Sequence, residues 1–116
     1  LMPSGLEEVY GCKVEYNLPR ALKDADVVMG LRMQMERMTE GLFPSLEEYS
    51  KHYVLSKDTI KYAKKDALIM HPGPMNRGVE ILPEIADGKQ SIIVEQVANG
   101  VAVRMALMFL ILGGKA

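Results

Sequence analysis

Apolar and polar residues fall in blocks along this chain, and the block boundaries carry most of the information. Ala25-Asp26-Val27-Val28-Met29 and Ala67-Leu68-Ile69-Met70 are short, nearly continuous apolar runs. Such runs predict strands buried in a parallel sheet. Lys13-Val14-Glu15-Tyr16 alternates polar with apolar, the signature of a half-buried strand, so three strands are expected. Helices are predicted between and around them. Ser4 to Tyr10 forms a short one closed by Gly11. Asn17 caps another, with Pro19 in its first turn and Leu18, Ala21 and Leu22 on its apolar side. Ser45 caps a helix through about Tyr53. Ser56 caps one running to Lys65, with Ile60 and Ala63 inward, Asp58 in its first turn and Lys64-Lys65 in its last, as the helix dipole favours. Pro83 to Ala86 forms one turn. Ser91 caps a long final helix, with Asn99-Gly100 as a weak spot inside it. The stretch from Met33 to Pro44 has no clear period and is expected to be a loop.

Strands alternating with helices predict an α/β fold, a partial Rossmann-like parallel sheet flanked by helices. Three strands are few for a doubly wound domain, where about five are usual, so the sheet is expected to be incomplete on its N-terminal side. The 116 residues suit one domain or a piece of one. The opening Leu1-Met2-Pro3 reads like the interior of a longer protein.

Composition narrows the function classes. The net charge is −1 with 25% charged residues, against the clustered Lys and Arg of a nucleic-acid surface. The single cysteine, Cys12, has no internal disulfide partner and is expected to be a small buried or half-buried apolar residue in a reducing cytoplasm. The N-terminus lacks the basic and apolar segments of a signal peptide. Val101 to Leu112 is too short to span a bilayer and is interrupted by Arg104, so it is expected to be a buried or interface helix and no membrane partner is expected. The methionines are expected to fill core gaps.

Candidate chemistry lies just after the two apolar runs. Gly30-Leu31-Arg32-Met33-Gln34-Met35-Glu36-Arg37 follows the first. On an extended path Arg32, Gln34 and Glu36 share a side, because side chains alternate. Arg32 offers a planar fork of donors suited to a carboxylate or phosphate, and Gln34 a neutral donor beside it. By themselves these residues read more readily as a solvated, charged strand end than as a site. His71-Pro72-Gly73-Pro74-Met75-Asn76-Arg77-Gly78 follows the second run. Two prolines and a glycine make a stiff loop with carbonyl oxygens but few N–H groups. Both segments sit at the C-terminal ends of neighbouring strands, where open α/β sheets bind ligands. His71 has no second histidine at metal-ligand spacing, so a structural hydrogen-bonding role is expected for it, and no metal or cofactor site. No Gly-rich phosphate loop is present.

Three stretches together resemble a known family: Asp26 to Arg37, His71 to Ile81, and Gln96-Val97-Ala98-Asn99-Gly100-Val101-Ala102-Val103-Arg104-Met105-Ala106-Leu107. In order and spacing they closely resemble the C-terminal part of bacterial aspartate carbamoyltransferase catalytic chains. The resemblance implies transfer of the carbamoyl group of carbamoyl phosphate to L-aspartate, in pyrimidine synthesis. It implies L-aspartate binding by Arg32 and Gln34. It implies that the backbone of Pro72, Gly73 and Pro74 holds the carbamoyl amino group, with a cis Gly73–Pro74 bond. Met38 to Tyr53 resembles the loop that closes over the substrates. Residues 1–90 would be part of the L-aspartate domain, and residues 91–116 a helix that packs back on a carbamoyl phosphate domain. That domain, with its Ser-Thr-Arg-Thr segment and catalytic histidine, is not in these residues, nor is the lysine that a neighbouring subunit lends. The chain alone is therefore expected to be inactive and, with its apolar final helix uncovered, prone to aggregate. The partners implied are the two substrates and a homotrimer of complete catalytic chains, with or without regulatory chains. Ornithine carbamoyltransferases, the nearest alternative, usually carry Ser-Met-Gly and His-Cys-Leu-Pro where this chain has Gly30-Leu31-Arg32 and His71-Pro72-Gly73-Pro74. An arginine suits the aspartate carboxylate and repels an ornithine ammonium. A non-catalytic interaction module on the same scaffold is the alternative from another class.

Overall fold

The structure, a computed structural model, describes residues 5–34 and 45–113. Its elements in chain order are α1 (Leu6–Tyr10), α2 (Leu18–Leu22), β1 (Val27–Met29), α3 (Leu46–Tyr53), α4 (Lys57–Ile60), β2 (Leu68–Met70), α5 (Pro83–Ala86) and α6 (Ile93–Ile111). β1 and β2 pair in parallel, with Val27 opposite Leu68, Val28 opposite Ile69 and Met29 opposite Met70. The expected α/β fold is therefore present, in its smallest form.

Among the described residues, only one face of this sheet is covered. Val28 and Ile69 are buried and pack with Leu22 from α2, Ile85 from α5 and Ile93 from α6. Val27, Met29 and Leu68 point the other way and are 49%, 51% and 41% exposed. The two apolar runs thus carry the residues of a sheet covered on both faces, while this chain covers one. The other edge of β2 is extended by a single bridge, in which the Ile69 N–H donates to the Gln90 carbonyl and the Ile92 N–H to the Ile69 carbonyl.

Local chemistry sets the helix starts. The side chains of Asn17, Ser45 and Ser56 accept hydrogen bonds from the N–H groups of Arg20, Glu48 and Thr59. At α4 the cap is reciprocal, because the Thr59 hydroxyl accepts from the Ser56 N–H at 2.8 Å. α1 is closed by Gly11 at φ 61°, the left-handed conformation that glycine adopts freely.

Several expectations are corrected. Lys13 to Tyr16 is not a strand: among the described residues no strand pairs with it, and the Val14 and Asn17 N–H groups bond instead to the carboxylates of Glu7 and Glu15. α4 ends at Ile60 rather than Lys65, because the Lys64 N–H donates to the Ala25 carbonyl across the fold. Ser91 is not the N-cap residue of α6, although its hydroxyl accepts the Ile93 N–H at 3.5 Å. Its backbone belongs to the bridge with Ile69, and the helix opens one residue later at Ile92. Cys12 is exposed, not buried. Met33 fills the core, but Met29, Met105 and Met108 lie at the surface.

α6 is the largest departure. It runs 19 residues without a break at Asn99-Gly100 and, by length and composition, is long and apolar enough to cross a membrane. Only Ile93 at its start is buried. The expected buried or interface helix is exposed in this chain, as expected of an apolar helix left uncovered.

Candidate functional site

Parallel pairing in register makes β1 and β2 end side by side, and the Gly30 N–H continues the ladder to the Met70 carbonyl at 2.9 Å. The two candidate segments leave from these ends. A side chain on Gly30 would place its Cβ 3.2 Å from the Cδ2 atom of His71, so a glycine here lets the imidazole lie against the end of β1.

After Gly30 a strict alternation of burial does not hold, because Leu31 is 65% exposed. Met33 is buried, and Arg32 and Gln34 on either side of it are half-buried and exposed respectively. Glu36 lies outside the described residues, as does most of the predicted Met33 to Pro44 loop. Of the segment resembling a closing loop, residues 45–53 are the Ser45 cap and α3.

The His71 loop is held from three directions. The His71 N–H donates to the Gln96 side chain on α6 at 2.8 Å. The Gly73 N–H turns back to His71 Nδ1 at 2.9 Å, with Gly73 at φ +65°. The Asn76 N–H donates to Glu80 Oε1 at 2.6 Å. The Gly73–Pro74 bond is cis, as the resemblance implies. Pro72 and Pro74 are exposed, and among the described residues no hydrogen bond ends on the carbonyl oxygens of Pro72, Gly73 or Pro74. The loop thus presents unused acceptors on a fixed backbone.

A hydrogen bond joins the two segments among the described residues: Asn76 Nδ2 donates to the Met33 carbonyl at 3.1 Å. The segment that carries Arg32 and Gln34 is therefore tied to the loop that carries Pro72 to Pro74. His71 has the structural role expected of it. It is fully buried, and its Nε2 lies 3.3 Å from Oε1 of Glu80, itself 2% exposed. Among the described residues no three His, Cys, Asp or Glu side chains are grouped to hold a metal.

Sequence reasoning gave Asn76, Glu80 and Gln96 no role. A signal existed for Glu80, a lone charge in Val79-Glu80-Ile81-Leu82. A carboxylate in such a run is either a turn or a buried partner. Tyr49 of α3 senses it: burial, then the nearby Glu80 carboxylate, raises the Tyr49 hydroxyl above its ordinary value. Cavity size does not single out the site. A cleft of about 600 Å³ lies between α4 and α5, lined by Lys57, Lys61 and Ile85, and includes none of the candidate site residues.

A family model for the Asp/Orn binding domain of aspartate/ornithine carbamoyltransferase matches residues 7–111. The chain belongs to this family. An aspartate carbamoyltransferase catalytic subunit from Syntrophus aciditrophicus is 56% identical over 116 residues, covering 100% of this chain and 38% of that protein. One from Rhizobium etli is 58% identical over 108 residues, covering 93% of this chain and 34% of that protein. Among solved structures, the anabolic ornithine carbamoyltransferase from Campylobacter jejuni superimposes with a TM-score of 0.71 at 28% identity, over 90% of this chain and 35% of that one. The chain thus spans little more than a third of the length of these carbamoyltransferases, and its match lies in the C-terminal part of the curated relatives. The shared parallel sheet with flanking helices bears out the α/β fold expected from the sequence.

Proposed function

We propose that this chain forms the L-aspartate side, and one wall of the carbamoyl phosphate side, of an aspartate carbamoyltransferase active site. The observation that carries this reading is the Asn76–Met33 hydrogen bond, which ties the Arg32–Gln34 segment to the proline loop at one sheet edge. Identities above 50% to aspartate carbamoyltransferase catalytic subunits support aspartate over ornithine. The arginine at position 32 supports it too.

In the reaction, the amine of L-aspartate attacks the carbonyl carbon of carbamoyl phosphate. A C–N bond forms, the C–O bond to phosphate breaks, and the amine loses a proton as N-carbamoyl-L-aspartate and phosphate separate. No covalent enzyme intermediate is needed, so catalysis is positioning and charge stabilisation. Arg32 pairs with a carboxylate of L-aspartate and Gln34 donates beside it. The carbonyl oxygens of Pro72, Gly73 and Pro74 accept from the carbamoyl NH₂ and orient its carbon. The loop's two prolines have no N–H to compete with them.

On this reading residues 1–90 are part of the L-aspartate domain, and residues 91–116 cross to a carbamoyl phosphate domain that covers the apolar surface of α6. The complete enzyme is a cytoplasmic homotrimer, with a lysine reaching each site from a neighbouring subunit, and serves pyrimidine synthesis.

Calorimetric titration tests the reading. A chimera placing the preceding part of the Syntrophus aciditrophicus relative ahead of this chain is expected to bind a carbamoyl phosphate–aspartate bisubstrate analogue, and this chain alone is expected to bind it far more weakly. A chimera that folds and does not bind the analogue contradicts the reading.

A further inference from the structure

We infer that Glu80 is a positioning residue for the proline loop: from beneath, its buried carboxylate fixes the tautomer of His71 at one end of the loop and tethers Asn76 at the other. The inference rests on the reading of the loop as the carbamoyl-holding wall.

The geometry begins with His71. Its Nδ1 accepts the Gly73 N–H at 2.9 Å, so that nitrogen carries a lone pair and the ring proton is on Nε2. Nε2 is buried, makes no aligned hydrogen bond among the described residues, and lies 3.3 Å from Oε1 of Glu80. A carboxylate at that distance favours the N–H on Nε2 and disfavours the other tautomer, in which Nδ1–H would face the Gly73 N–H, donor against donor. The same Oε1 accepts the Asn76 N–H at 2.6 Å. One oxygen therefore restrains the first and sixth residues of His71 to Asn76, and the unbonded carbonyl oxygens of Pro72 to Pro74 lie between these two anchors.

Glu80 is itself well held. Its carbonyl accepts the Leu55 N–H at 2.9 Å, and its neighbour Ile81 is fully buried and bridged to Leu55. Among the described residues, the groups facing the pair include Tyr49 from α3, whose hydroxyl is raised above its ordinary value by burial and then by the Glu80 charge, and the Gln96 amide from α6, whose oxygen accepts the His71 N–H. A buried carboxylate is costly, and among the described residues Oε2 of Glu80 has no hydrogen-bond partner, so its retention under the loop calls for a role that an apolar side chain would not fill.

The test combines two readouts. In the 116-residue chain, nitrogen chemical shifts of the His71 ring are expected to show Nδ1 unprotonated and Nε2 protonated, and a proton on Nδ1 overturns the inference. In the chimera with a carbamoyl phosphate domain, E80L is expected to raise KM for carbamoyl phosphate by about tenfold, the effect of losing one good hydrogen bond, with a smaller change for L-aspartate. E80Q keeps an acceptor oxygen and is expected to restore most of that loss and the wild-type tautomer. An E80L chimera that folds and keeps both the wild-type tautomer and the wild-type KM overturns the inference, as does one whose two KM values rise equally. If E80L does not fold, E80Q decides: a tautomer switched to Nδ1–H contradicts the role given to the carboxylate oxygen. A chimera inert with Glu80 intact counts against the reading of the site instead, and the tautomer then decides the role of Glu80 by itself.

Discussion

The sheet edge and the final helix treat apolar residues in opposite ways. At the sheet edge, Ile69, Ile81 and His71 are each at most 1% exposed, and Gln96, Glu80 and the Gly73 backbone bond to the loop there, while His71 Nε2 and Glu80 Oε2 are buried without a hydrogen-bond partner among the described residues. Along α6, Leu110 is 64% exposed and Ile111 80%. Both regions have the composition of an interior. The difference is that the first finds its partners within the chain and the second does not. The open face of Val27, Met29 and Leu68 belongs with α6 in this respect. The segments at the sheet edge are held by short-range and cross-strand contacts within this chain, while the described residues leave the apolar surface of α6 and the open sheet face uncovered.

Substitutions break this comparison most strongly at its extremes. Ile69→Ala is expected to destabilise the chain by ~2–5 kcal/mol, whereas Leu110→Ala should stay within about 0.5 kcal/mol. Denaturant unfolding of both variants checks this, and equal losses would mean that α6 has a covering partner in this chain. In the chimera with a carbamoyl phosphate domain, Leu110→Ala should become costly, by ~2 kcal/mol or more. Arg32→Ala comes next. In that chimera it should raise KM for L-aspartate about 10–100-fold, the loss of a charge-assisted hydrogen bond worth ~1.5–3 kcal/mol, and leave the melting temperature close to wild type. An unchanged KM would remove Arg32 from the site.

The first part of this contrast was legible in the sequence because its signals are local. Caps at Asn17, Ser45 and Ser56, the two apolar runs, and the breaks at Gly30 and Pro72 are all encoded within a few residues. Arg32, Gln34, Pro72, Gly73 and Pro74 were placed by resemblance, and the structure brings their two segments together. The rest depends on distant groups. Lys13 to Tyr16 alternates like a strand, but pairing needs a second chain segment that a pattern cannot supply. The end of α4 is set by the Ala25 carbonyl, from the other side of the fold. Glu80 stood out as a lone charge in an apolar run, but its role shows only once Asn76 and His71 are around it.

Smaller changes sharpen the picture. Ser56→Ala removes half of the reciprocal cap on α4 and should cost ~1 kcal/mol, read by the same unfolding experiment. No loss would show that α4 is fixed by packing alone. The exposed Arg77–Asp87 pair should matter least. The Arg77 hydrogen bond holds the Asp87 carboxyl below its ordinary value. A carboxylate with a lowered folded pKa stabilises above its unfolded pKa, and that contribution is lost as the pH falls through the folded value. Arg77→Ala should therefore lower the melting temperature slightly at neutral pH and not at all in strong acid. A gap that persists unchanged into acid would exclude the pair as its source.

The most direct test of the central claim is to assay carbamoyl-aspartate formation by this chain alone and by the chimera with a carbamoyl phosphate domain. Product from the chimera, abolished or sharply reduced by Arg32→Ala, with none from the 116-residue chain, is the result expected of one half of a two-substrate site. Product from the chain alone, or none from a folded chimera, would contradict it.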